Sequence, residues 1–296
     1  MKHSLGILLI LVSFFLISQI VGLLVIQSYI DFESSNQKGE IVWKSLPQLG
    51  GVPFERPDVA PNAVPIYLLA GILLGTLLVW FFARIQSVLL WKIWFFLAVF
   101  MCLFISFYSF MNQTVAVSLA FLLSALKVFR PSVIMHNLSE IFLYGGLGAI
   151  FVPMLSIFSV FVLIILISLY DAYAVWKSKH MIVLAKFQMQ SKLFAGLLIP
   201  YKLPSLKKIP QGMPVSHKKI KTALLGGGDV AFPLLFAGTV MKFVGLWQSL
   251  IISVCASVAL FLLIYFGKKD KFYPAMPFIG AGCFVGYGII LLINVL

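Results

Sequence analysis

The sequence predicts an all-α, polytopic membrane protein with nine transmembrane helices, and three observations predict it. Of its 296 residues, 61% are hydrophobic and only 10% are charged, whereas a soluble domain carries about a quarter charged residues. Apolar runs of about 17–25 residues, the length that crosses a hydrocarbon core, recur along the whole chain. Basic residues collect in alternate connecting segments, as one consistent topology requires.

The first run, near 4–30, follows Lys2 and has the look of a signal peptide. It is longer than an h-region of about 7–15 residues, and no small-residue cleavage site follows, so it reads as a retained first span. Polar breaks then delimit spans near 66–83, 88–111, 114–129, 138–152, 154–175, 222–241, 246–266 and 275–295. This divides the chain into a six-helix part (1–175), a basic loop (176–221) and a three-helix part (222–296). Cys102, Cys255 and Cys283 all fall within spans, far apart and without a CxxC, and read as small apolar filler.

The net charge of +13 follows the topology and gives no sign of nucleic-acid binding. With the N-terminus in the cytoplasm, every basic residue except Lys38, Lys44, Arg56 and Lys242 falls on the cytoplasmic side. The first outer loop, about 31–65, instead holds Asp31, Glu33, Glu40, Glu55 and Asp58. An odd number of spans places the C-terminus outside. The 176–221 loop contains no acid, and its lysines suit an anionic inner leaflet. Within it, 181–198 mixes apolar residues with Lys186, Gln188, Gln190 and Lys192 and reads as an interfacial helix. Pro200, Pro204, Pro210 and Pro214 then predict an irregular linker.

Besides the outer-loop acids and Asp270 in the last basic turn, only Glu140, Asp171 and Asp229 remain, all within spans. Glu140 follows Asn137 by three residues, so the pair reads as a helix-start capping box, with Asn137 as N-cap. Asp171 and Asp229 have no such explanation. An ionised carboxylate inside a membrane costs several kcal/mol, and acids there usually mark function. At about 1.5 Å per residue, Asp171 sits roughly 6 Å inside the cytoplasmic end of the sixth span, and Asp229 roughly 10 Å inside that of the seventh. Two antiparallel neighbours would bring the carboxyls to a similar depth. Gly226-Gly227-Gly228, directly before Asp229, weakens the helix and admits close backbone approach.

Two adjacent carboxyls cannot both ionise without a large penalty, so they share a proton. The charged member can take a proton from water while the neutral one donates to a carbonyl, which is the chemistry of peptide hydrolysis by an aspartyl pair. Other hydrolytic chemistries fit poorly. His3, His136, His180 and His217 all read as loop or terminal residues, there is no HExxH for zinc, and there is no Walker loop for ATP. No metal or organic cofactor is expected.

At these residues the sequence resembles the GxGD intramembrane aspartyl proteases, the presenilin and signal peptide peptidase family with its archaeal relatives. Tyr170-Asp171 resembles that family's YD motif, Gly226-Gly227-Gly228-Asp229 its GxGD, and Pro274-Ala275-Met276 its PAL, in matching spans and order. Met276 departs from the family's leucine by a near-isosteric apolar change. Pro277 extends the motif to PAMP, closer to presenilin's PALP. The resemblance implies a presenilin-like fold in which Asp171 and Asp229 are the catalytic pair. Tyr170, Gly226, Gly227, Gly228, Pro274, Ala275, Met276 and Pro277 would shape the site and seat the substrate backbone. Independently of the family, Pro274 and Pro277 fit an extended lead-in to the last helix, or its first turn, where unpaired backbone can meet an unwound substrate segment.

The expected partners are therefore the lipid bilayer and the transmembrane helices of substrate membrane proteins. The main alternative is a proton- or ion-coupled transporter, whose intramembrane acids and glycine-broken helix would look similar. A further alternative is an inactive membrane subunit with the same fold.

Overall fold

The computed structural model describes residues 5–61, 63–85, 87–177, 193–200, 222–267 and 273–295. Lys2, His3, His180, His217, Asp270 and the lysines near it, and the prolines between 201 and 221 lie outside the described residues, as does most of the expected interfacial helix.

The helices are α1 (Leu5–Ser28), the short α2 (Phe32–Lys38), α3 (Val64–Arg84), α4 (Val88–Tyr108), α5 (Gln113–Phe129), α6 (Val133–Phe151), α7 (Ile157–Trp176), α8 (Gly227–Phe266) and α9 (Met276–Val295). Among the described residues, seven helices are long and apolar enough to cross a membrane, while α5 is apolar but shorter. Their outward faces carry residues such as Leu74, Trp247, Phe266 and Leu292, the surface expected against lipid.

Side-chain caps set several helix starts. Asn112 accepts from the Val115 N–H at 3.0 Å, Ser132 from Met135 at 3.2 Å and Ser156 from Ser159 at 3.1 Å, each satisfying a donor that has no partner within its helix. Two sequence expectations are corrected here. The fifth span begins at Val133, capped by Ser132 directly after Pro131, so Asn137 and Glu140 lie within α6 and form no capping box. His136 likewise sits in α6, buried, rather than in a loop.

The chain is mostly helical but not all-α. Ile30–Asp31 (β1) pairs with Val42–Trp43 (β2), and Gln48–Leu49 (β3) with Val52–Pro53 (β4), both between α1 and α3. A longer antiparallel pair joins Gly196–Pro200 (β5) to Thr222–Gly226 (β6). The tail of the expected interfacial helix is therefore a strand. The seventh span likewise does not start in a helix at 222: its first residues are β6, and α8 begins at Gly227. Glycines, which disfavour helix interiors, sit at this strand-to-helix junction instead.

At 40 residues, α8 is about twice the length that a bilayer core needs. It is interrupted at Gly245, whose φ of 78° and ψ of 176° suit only glycine. The arms, 227–244 and 246–266, match the two spans expected from sequence.

α1 packs between α6 and α8, burying Phe15, Leu23 and Ile26. α9 packs on α8 and α7. A second, aromatic cluster joins α4 to α5, with Phe96, Phe100 and Phe104 stacked along α4. Because lipid is as apolar as leucine, such contacts depend on close fit rather than on water exclusion. Gly146 is the tightest case: a Cβ there would overlap the backbone carbonyl of Cys102, so α6 and α4 touch backbone to backbone. Gly146→Ala is expected to push these helices apart at a cost of about 1–3 kcal/mol, read as a lower unfolding temperature in detergent. A melting curve identical to that of the unaltered chain would contradict this packing.

Candidate active site

Asp229 owes its place to the junction between β6 and α8. Gly226 is the last extended residue (φ −63°, ψ 148°) and serves as N-cap, so Asp229 is the third residue of the helix. Its carboxyl accepts a hydrogen bond from the Gly226 N–H, the reach-back half of a capping box. Helix N-termini favour acids. Asp229 therefore stands in the first turn of α8, not two turns inside a helix. Four residues later, Pro233 has no N–H to offer the Asp229 carbonyl. The Gln19 side chain of α1 donates to the next carbonyl, that of Val230, at 2.8 Å.

Asp171 lies near the end of α7, half-buried, with Tyr170 beside it. Its Oδ2 accepts from the Met276 N–H at 3.0 Å, and the Ala275 N–H also donates to the carboxyl. The first N–H groups of α9 have no partner in their own helix, and Asp171 supplies one from a neighbouring helix. The Tyr-Asp and Pro-Ala-Met-Pro motifs, over a hundred positions apart, are thus in direct contact. Pro274 and Met276 are buried, and Ala275 and Pro277 half-buried. The two carboxyls lie close enough for the charge of Asp171 to act on Asp229.

Beside Asp171, Pro277 lines an apolar groove of about 200 Å³ between α7 and α9, with Ile165, Ser168, Leu169, Gly280 and Phe284.

The β5–β6 hairpin is fastened to α6. Asn137 donates to the Leu198 carbonyl at 2.7 Å and accepts from its N–H at 2.9 Å, and His136 Nε2 donates to the Gly196 carbonyl at 2.6 Å. Backbone polar groups of antiparallel strands alternate in direction. With those of Leu198 turned toward α6, those of Leu224, its partner in register, point away from β5, along an edge that no strand among the described residues pairs.

The sequence reading missed Gln19, His136, Asn137 and Tyr144. Tyr144 is buried and donates to Glu140, whose other oxygen is paired with Lys127. The one available signal was Glu140 itself, an acid within a span with a lysine thirteen residues earlier. Lys127, counted from sequence among the cytoplasmic-side charges, is a buried partner of Glu140. Among the described residues, no three His, Cys, Asp or Glu side chains form a metal-binding group.

A family model described as signal-peptide peptidase, presenilin aspartyl protease matches residues 54–295. Two solved structures, each of a presenilin family intramembrane aspartate protease, resemble the chain. The one in space group C222 has 20% identity and a TM-score of 0.62, covering 97% of this chain and 99% of the other. The one in P2 has 19% identity and a TM-score of 0.60, covering 98% and 97%. At such identity the likeness is one of fold. No curated protein matches. With the family model spanning most of its length, from the segment before α3 to the last helix, this chain belongs to the signal-peptide peptidase and presenilin aspartyl protease family.

Proposed function

We propose that this integral membrane protease is an endopeptidase in which Asp171 and Asp229 form the catalytic pair and cleave transmembrane helices of other proteins. The observation that carries the reading is the meeting of three separate segments: Asp171 bonded to the backbone of Ala275 and Met276, and within electrostatic range of Asp229.

In this mechanism one carboxyl is ionised and takes a proton from a water molecule. The resulting hydroxide adds to the scissile carbonyl carbon while the other carboxyl protonates the carbonyl oxygen, giving a gem-diol. The C–N bond then breaks as the newly protonated carboxyl gives its proton to the amine nitrogen and the ionised one takes a proton from a gem-diol hydroxyl, leaving a carboxylic acid, a free amine and one proton on the pair. A helical substrate must first unwind, since its peptide bonds are paired and shielded. The outward-turned backbone at Leu224 suits such a segment by strand addition. The groove beside Pro277 faces outward between α7 and α9 and gives a substrate helix a lateral approach.

The proposed topology counts nine crossings, taking the two arms of α8 separately and including α5. It keeps the N-terminus and the 176–221 connector cytoplasmic and the C-terminus outside. The transporter alternative finds no support, since the family is one of proteases.

The test is reconstitution of the purified chain in liposomes with a single-span substrate. Two fragments cut within the span are expected, and a peptide mimic with a hydroxyl at the scissile position should block their formation. An intact substrate together with no binding of the mimic would overturn the proposal.

A further inference from the structure

The Lys127–Glu140–Tyr144 chain is not used in that mechanism, yet it ends at the catalytic turn. Lys127 of α5 and Glu140 of α6 are each 1% exposed and ion-paired. Replacing such a pair with well-packed apolar residues is often neutral or stabilising, so stability alone is a weak reason for it. What the pair adds is orientation. One Glu140 oxygen takes the Lys127 ammonium and the other accepts the Tyr144 hydroxyl proton. A tyrosine hydroxyl has one proton to give, so toward every other neighbour Tyr144 Oη presents only lone pairs.

That oxygen lies against Gly227. A Cβ added to Gly227 would stand 3.1 Å from Tyr144 Oη on one side and 3.3 Å from the Ala195 carbonyl oxygen on the other. The Gly227 N–H donates to that same Ala195 carbonyl at 3.0 Å. The first residue of α8 is thus held by the Ala195 carbonyl, just before β5, and lies close to Tyr144, two positions before Asp229.

We propose that Tyr144 is a positioning residue for Asp229: its hydroxyl, aimed by the Lys127–Glu140 pair, bears on Gly227 and sets the turn that carries the carboxyl. It does not act as a proton donor to substrate, because its proton is committed to Glu140. The inference rests on the proteolytic reading and concerns how the pair is aligned.

The experiment uses the full-length chain in liposomes. Tyr144→Phe keeps the ring and removes only the hydroxyl. Misplacement of a reacting group by about 1 Å can cost 10²-fold in rate, so kcat is expected to fall roughly 10- to 100-fold. KM should stay within about twofold, and affinity for the hydroxyl-bearing mimic should fall in parallel with kcat. A double-mutant cycle with Gly227→Ala supplies a readout that a merely structural role would not move. If Tyr144 acts through Gly227, the two losses in kcat are non-additive. If Tyr144→Phe does not fold, Glu140→Gln, which keeps a weaker acceptor for the hydroxyl, enters the same cycle, and non-additivity is again expected. Unchanged kcat in the variant measured, or strictly additive losses, would overturn the proposal. A wild-type chain that neither cleaves nor binds the mimic would instead dispose of the proteolytic reading.

Discussion

Replacing either Asp171 or Asp229 with asparagine is expected to lower cleavage by about 10³-fold or more while the protein still folds. Asparagine has nearly the same shape but cannot exchange a proton in this range, so neither water activation nor carbonyl protonation can be completed. The double variant should be no worse than either single one, because residues that act as a unit lose their function together. Folding should survive for a local reason: an asparagine oxygen can still accept from the Met276 N–H at position 171 and from the Gly226 N–H at position 229. The measurement is quantification of cleavage fragments alongside unfolding temperature. Either single variant retaining more than about a tenth of wild-type turnover would remove that aspartate from the catalytic pair.

Glu140→Ala should be the most damaging single change to stability. It leaves the Lys127 ammonium buried without its partner, and breaking a buried ion pair typically costs about 3–5 kcal/mol. Two readings of Glu140 are separated by magnitude, because loss of a helix cap costs only about 0.5–2 kcal/mol. Chemical denaturation in detergent decides between them. Replacing both partners, Lys127→Met with Glu140→Leu, should recover most of the loss, since an apolar pair of similar volume carries no stranded charge. A small effect of Glu140→Ala would mean that Lys127 finds another partner.

Glu140 also shows where sequence reading stops. An asparagine three residues before an acid is the same pattern whether it begins a helix or sits inside one. The deciding group was Ser132, a better-placed cap directly after Pro131. Likewise, 196–198 closes the segment read as an interfacial helix, and only pairing with 224–226 makes it part of a strand. His136 looks like a loop residue and Asn137 like a helix cap until β5 supplies the carbonyls and N–H that they bind.

What was legible beforehand was whatever composition and order along the chain control. Solvation by lipid forces long apolar helices and excludes unpaired acids, so most of the long apolar helices, the break near 245 and the prominence of Asp171 and Asp229 followed from one dimension. Contacts between distant segments did not. Asp171 reaching the backbone of Ala275 and Met276, and Tyr144 bearing on Gly227, depend on how helices pack. In a bilayer that packing is set by steric fit and paired polar groups, with little help from the hydrophobic pattern. A linear sequence carries the pattern, and the fit exists only once the helices are side by side.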